Sequence, residues 1–235
     1  MATGDFDIES LARYLHLDIQ KVKRMADRGE LPGRKISGQW RFSEAEIHLW
    51  LEERIGASDD AELARVEEAL QRSRPPEEDV CIAKSLPLEA IAIPLDARTR
   101  MSVIRRMVDL AAGTGWLWDP PKMVAAVGAR ENLHSTALGN GVAFLHPRYP
   151  KPNILAQAFL ALGRTHHGIA FGGADGQLTD VFFLILSTDD SGHLRTLARL
   201  SRLISETPLL GIIRDAEDAA TVHQKLAEIE SAHFG

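Results

Sequence analysis

His146 is the residue best placed by its neighbours to do chemistry. It follows Val142-Ala143-Phe144-Leu145, a short β-prone apolar run. Gly139 and Gly141 open that run, and Pro147, which has no N–H, forbids its ladder from continuing. The spacing puts His146 at the exposed end of a buried strand: held rigidly, facing solvent and open to a partner protein. An imidazole there is a useful nucleophile, because its neutral form carries a ring lone pair near pH 7. On local sequence alone, a surface histidine in a loop is the alternative.

Rival constellations are thinner. His166-His167 are adjacent, so in a loop their side chains diverge, and no carboxylate or cysteine is spaced to complete a metal site. Gly172-Gly173-Ala174-Asp175-Gly176 lacks the Lys-Ser/Thr of a P-loop and reads as a turn. Cys81 stands alone beside an acidic stretch with no basic neighbour closer than Lys84, which argues against a catalytic thiol. His16, His48, His134, His223 and His233 read as helix or turn surface.

Several elements must hold His146 in place. Arg100 to Gly113 is helical, with Val103, Ile104, Met107, Val108 and Ala111 inward. Pro120-Pro121 opens a second helix running to about Glu131. Ala90–Ile93 and Ile154–Leu162 are strand-like, and Val181 to Leu186 is a continuous apolar run, as expected of a strand buried on both faces. Asp189-Asp190-Ser191 offers caps for a helix through Leu194, Leu197, Leu200 and Leu203, and a final helix spans about Ala216 to Ile229. Alternating helices and strands indicate an α/β layered fold.

The net charge of −6 hides an asymmetry. Residues 18–42 hold Lys21, Lys23, Arg24, Arg28, Arg34, Lys35 and Arg41 against Asp18, Asp27 and Glu30, a local excess of four positive charges. Residues 56–80 carry an excess of five negative charges. A basic patch inside an acidic protein suggests a polyanion partner for that patch only. The elements around it are a helix at 8–15, a turn at Leu17-Asp18, a basic helix from Ile19 to Arg28, a hairpin around Ser37-Gly38, and a helix after the capping box Ser43-Glu44-Ala45-Glu46. Asp59 to Arg72 is a candidate helix whose Leu63, Val66 and Leu70 could pair with a twin in a homodimer. Ser73-Arg74-Pro75-Pro76-Glu77-Glu78-Asp79 is an extended acidic linker. No apolar run approaches the length of a membrane span and no signal peptide is visible, so the cytoplasm is the default compartment.

Residues 6–55 resemble excisionase-type, MerR-like winged helix-turn-helix domains. The resemblance rests on Ala12-Arg13-Tyr14-Leu15, Val22-Lys23-Arg24-Met25, Arg28-Gly29-Glu30-Leu31-Pro32 and Gly38-Gln39-Trp40-Arg41-Phe42. It implies DNA binding, with Lys21, Lys23, Arg24 and Arg28 toward the major groove and Lys35 and Arg41 on a wing against phosphates.

From about residue 83 to the end, the chain resembles enzyme IIA domains of the mannitol/fructose and nitrogen-regulatory branch of the bacterial sugar phosphotransferase system. Arg130-Glu131-Asn132, Ser135 to Gly141, Val142-Ala143-Phe144-Leu145-His146, and Val181–Leu186 followed by Gly192-His193-Leu194 match in order. The resemblance implies a mixed sheet flanked by helices, with His146 as phosphoacceptor and Arg130 and His193 converging on it. It implies a histidine phosphocarrier protein as phosphodonor and no cofactor. One departure is Leu145-His146-Pro147, where the family usually reads Pro-His-Gly; Pro147 cannot donate a main-chain bond to a phosphate.

The expected organisation is a winged helix-turn-helix DNA-binding domain at 1–55, a helical and acidic linker at 56–82, and an α/β phosphocarrier domain at 83–235. The expected function is a phosphotransferase-system-linked regulator that binds DNA. The alternative is a phosphocarrier that relays phosphate to a separate acceptor, with the N-terminal domain docking to a protein.

Overall fold

The computed structural model describes residues 5–15, 17–44, 46–47, 49–51, 80–173 and 176–234. The proposed pairing residues Leu63, Val66 and Leu70 lie outside them, as do His16 and His48. Contacts divide the chain into two compact units, Met1–Asp79 and Val80–Gly235.

In the first unit β1 (Asp5–Phe6) leads into α1 (Ile8–Tyr14), α2 (Ile19–Asp27) and the hairpin β2 (Arg34–Ile36) and β3 (Gln39–Ser43). Residues 44, 46, 47 and 49–51 are helical. Each labelled helix starts on an aspartate. Asp7 closes a reciprocal capping box with Ser10, and Asp18 accepts from the Gln20 and Lys21 amides. The hairpin turns at Ser37 and Gly38, whose φ values of 52° and 80° are both left-handed, the pattern that matches strand twist in a two-residue turn. β3 pairs antiparallel with both β1 and β2. Leu11, Val22, Phe42 and Ile47 are fully buried between helices and sheet.

The second unit is built on a four-stranded sheet in the order β4-β6-β7-β5, with β4 (Ile91–Ala92), β5 (Val142–Leu145), β6 (Phe159–Ile169) and β7 (Thr179–Leu186). Two pairings are parallel, β4 with β6 and β5 with β7, and β6–β7 is antiparallel, so the sheet is mixed as expected. The helices are α3 (Ile82–Ser85), α4 (Arg100–Gly113), α5 (Pro120–Leu133), α6 (Asp190–Glu206), α7 (Leu209–Asp215) and α8 (Ala219–Phe234). Val181 to Leu186 is buried throughout, the consequence of helices on both faces. Glu230 of α8 accepts from the Ile82 and Ala83 amides at 2.7 and 2.8 Å, capping α3 from across the unit.

Two expected boundaries move. The apolar run 154–162 is not one strand: Pro152–Ile154 forms a 3-10 turn and β6 starts at Phe159, continuing through polar residues to Ile169. His166 and His167 therefore lie on β6, in the irregular stretch between Arg164 and Ile169, and not in a loop. The last helix begins at Ala219 and extends to Phe234.

Candidate functional site

β5 ends at Leu145, and His146 follows at once. The strand lies between β7 on one side and a short segment on the other. The Leu138 amide donates to the Val142 carbonyl at 2.8 Å, and the Phe144 amide donates to the Thr136 carbonyl at 3.1 Å. Alternate residues of a strand bond to opposite neighbours, so the Phe144 carbonyl faces the same side as its amide, beyond the end of that segment. His146 Nδ1 takes this carbonyl at 2.8 Å. A carbonyl only accepts, so Nδ1 bears the proton, and in the neutral ring Nε2 carries the lone pair.

His193 arrives from α6. Asp189 caps that helix, accepting from the Gly192 amide at 2.8 Å, which puts His193 in the first turn. Its ring centroid lies 4.9 Å from that of His146, tilted by 57°. Ser187, at the end of β7, places its hydroxyl 3.3 Å from His193 Nδ1. The free amides and dipole of a 17-residue helix point toward the same end of the sheet and favour an anion there.

The solvent-facing ring expected for His146 is not found. The residue is 3% exposed, and His193 is 6% exposed. Burial here depends on α6 packing its first turn against the strand end, which no local pattern around residue 146 encodes.

Arg130 lies in the last turn of α5 and is also buried. Its Nη1 donates to the His134 carbonyl at 2.9 Å, just past the helix end, where a cation complements the dipole. The structure thus brings His146 and His193 together and commits one Arg130 nitrogen to the segment leading toward β5.

The neighbouring Glu131 was not singled out by its sequence, although it lies inside the motif that pointed to Arg130. It is 2% exposed. Its carboxylate accepts from the Thr136 hydroxyl at 2.6 Å, from the Thr136 amide at 3.1 Å, and from Arg100 Nη2 at 2.7 Å.

At the opposite end of β5, a cleft of about 460 Å³ is lined by Asn140, Gly141, Leu178, Asp180 and Arg214 among others. Arg214 donates to both oxygens of Asp180 and to the Asn140 carbonyl. The Asp180 bonds raise the Arg214 pKa against the opposing effect of burial. The length of β5 separates this cleft from His146. His166 and His167 are exposed with ring centroids 6.5 Å apart, and no group of three or more potential ligands among the described residues is placed to hold a metal.

In the first unit Lys21, Lys23 and Arg24 lie exposed on α2 while Val22 and Ala26 face inward. The other three basic candidates have acidic partners within the unit. Arg28 is 3.7 Å from Glu30, Lys35 is 3.5 Å from Asp27, and Arg41 is 3.8 Å from Asp7. Lys35 also lies over the Trp40 ring, its cross-strand partner. Arg34 and Arg41 sit directly opposite on the hairpin, a like-charge pair that Asp5 and Asp7 offset.

A mixed sheet flanked by helices, with two histidines meeting beyond the end of an edge strand, defines an enzyme IIA-type domain. Residues 84–229 match the family of phosphoenolpyruvate-dependent sugar phosphotransferase system EIIA 2 domains, and the chain belongs to that family. Residues 6–55 match the helix-turn-helix domain family. A nitrogen regulatory protein of Bradyrhizobium diazoefficiens is 37% identical over 100 residues, which span 42% of this chain and 63% of that protein. The fructose-specific EIIA component of Haloferax volcanii is 29% identical over 150 residues, 63% of this chain and 96% of that one. The crystal structure of the nitrogen regulatory protein IIA-Ntr from Neisseria meningitidis superposes with a TM-score of 0.55 at 25% identity, covering 62% of this chain and 98% of its own. No helix among the described residues is long and apolar enough to cross a membrane.

Proposed function

We propose that the chain is a phosphotransferase-linked regulator that accepts a phosphoryl group on His146 and binds DNA through its helix-turn-helix domain. The observation that carries this reading is the pairing of His146 with His193 at 4.9 Å, with the His146 Nδ1 proton committed to the Phe144 carbonyl. The Nε2 lone pair forms a bond to phosphorus as the phosphorus–nitrogen bond on the donor protein's histidine breaks. The electron pair of that bond returns to the donor ring. Charge builds on the phosphoryl oxygens, so the protein's part is positioning and electrostatics. His193, the first turn of α6 and Arg130 supply those, and a histidine phosphocarrier protein is the donor class.

A second reading keeps the phosphocarrier and makes the N-terminal unit a protein-docking module. It draws on the ion pairs that already occupy Arg28, Lys35 and Arg41. Titration of the full chain with duplex DNA at several salt concentrations, before and after incubation with phosphoenolpyruvate and the general phosphotransfer proteins, separates the two. A steep salt slope and a shift on phosphorylation support the regulator. An absence of DNA binding even at low salt favours docking.

A further inference from the structure

We infer that Glu131 and Thr136 are positioning residues for His146, acting through the main chain of Phe144. The inference rests, in its functional consequence, on the phosphoacceptor reading of His146. β7 holds one edge of β5 through parallel pairing from Val142 to Leu145. On the other edge, the Phe144 amide is taken by a single carbonyl, that of Thr136, at 3.1 Å. Whatever fixes Thr136 therefore holds the Phe144 amide, and through the extended backbone of that residue it helps aim the Phe144 carbonyl on the same side of the strand. The Phe144 carbonyl in turn decides which nitrogen of His146 carries the proton.

Thr136 is fixed by one carboxylate. Glu131 holds both its amide and its hydroxyl, and Arg100 Nη2 clamps Glu131 from the other side at 2.7 Å while also donating to the Glu131 carbonyl at 2.6 Å. Glu131 and Thr136 are both buried, at 2% and 6% exposed, and in that setting charge-assisted bonds are strong and water competes poorly. The chain of bonds runs from Arg100 through Glu131 and Thr136 to Phe144 and His146, without a break over 3.1 Å. It enforces the Nδ1–H tautomer, the one that free histidine disfavours, and leaves Nε2 as the nucleophile. Glu131 touches no reacting atom, so it positions the catalytic histidine and takes no part in bond making.

The test uses the full chain with ¹⁵N-labelled histidine. Ring nitrogen shifts of His146 give its tautomer and its titration midpoint without any phosphodonor. In the wild type the Nδ1–H form should be the major one by roughly two- to threefold, one buried hydrogen bond outweighing the opposite preference of free histidine. Glu131→Gln keeps the shape but presents an amide donor to groups that need an acceptor. It should erode that preference, move the midpoint, and slow phosphoryl transfer by about tenfold or more. Thr136→Val removes only the hydroxyl bond and should shift the same observables in the same direction by less, with Thr136→Ser restoring them. Should Glu131→Gln fail to fold, Thr136→Val against Thr136→Ser decides. A His146 tautomer and midpoint unchanged in a folded variant would overturn the relay. The phosphoacceptor reading fails separately, if the wild type takes up no phosphate on His146 while its tautomer still responds to Glu131.

Discussion

The two units use charged side chains in opposite ways. Behind His146 a carboxylate is buried and held by several bonds: Glu131 accepts from three donor groups and its side chain is 1% exposed. On the helix-turn-helix unit the ion pairs lie at the surface, as in Arg28–Glu30, with side chains 70% and 45% exposed. A buried carboxylate that loses its partners keeps its desolvation cost, so such a network fixes geometry. An exposed pair contributes little and can be exchanged for another anion at small cost. The first arrangement suits a site that must present one nitrogen in one tautomer. The second suits a surface whose cations can change partners, from aspartate to phosphate.

The largest effects belong to the buried site. Arg130→Ala or His193→Ala should slow phosphate uptake by on the order of a hundredfold or more, the usual loss of a preorganised charge stabiliser, without moving the modified residue. Initial labelling rates followed by peptide mapping check both parts. Uptake that shifts to another histidine in either variant would break the assignment of roles.

Glu131→Ala should cost about 2–3 kcal/mol in denaturant unfolding, because the buried amide and hydroxyl of Thr136 lose their acceptor, while Arg100, partly exposed, keeps the Glu131 carbonyl. Arg28→Ala on the first unit, which removes an exposed pair with Glu30, should cost less than about 1 kcal/mol. Comparable losses at the two positions would dissolve the contrast between the units.

A third carboxylate lies between these extremes. Glu206 accepts two bonds from Arg202, at 2.7 and 2.9 Å, and one from His233 at 2.8 Å. The Arg202 bonds, with His233 second, hold its carboxyl below the ordinary 4.5 despite partial burial. Its contribution is complete above that ordinary value and is lost as pH falls through the depressed folded one. Glu206→Gln should therefore cost about 1–2 kcal/mol at pH 7, and its gap from the wild type should close as pH falls below 4.5. A gap that widens in acid would reverse the sign.

The smallest effect sharpens the view of the wing. Lys35→Gln should weaken binding equally to all DNA sequences and reduce the salt slope by about one. Asp27→Ala, which frees Lys35, should strengthen it. Sequence-dependent losses at Lys35 would mean a base contact and not a phosphate contact.

Much of the scaffold was legible because periodicity is local. α4, β5 and β7 sit where apolar spacing put them, and Asp18 caps α2 as its position suggested. β6 was misplaced because its C-terminal half, Arg164 to Gly168, is polar and irregular, and is carried by pairing with β7 at its two ends, Arg164 with Val181 and Ile169 with Thr179. α7 was missed because Leu209-Leu210-Gly211-Ile212-Ile213 is too short to show a period. At the site, the proximity of His146 to His193 came only through resemblance, since the fold brings to 4.9 Å two rings that lie 47 positions apart in the chain. The burial of His146 and the Glu131 clamp depend on α6 and Arg100, contacts that no window around residue 146 contains.

Everything proposed for this chain turns on phosphate uptake at His146. Its most direct test is intact-mass analysis of the full chain after incubation with phosphoenolpyruvate and the general phosphotransfer proteins, beside His146→Ala. The wild type should gain one phosphoryl group, lost on acid treatment as phosphohistidine is, and His146→Ala should gain none. Undiminished incorporation in the His146→Ala protein would contradict it.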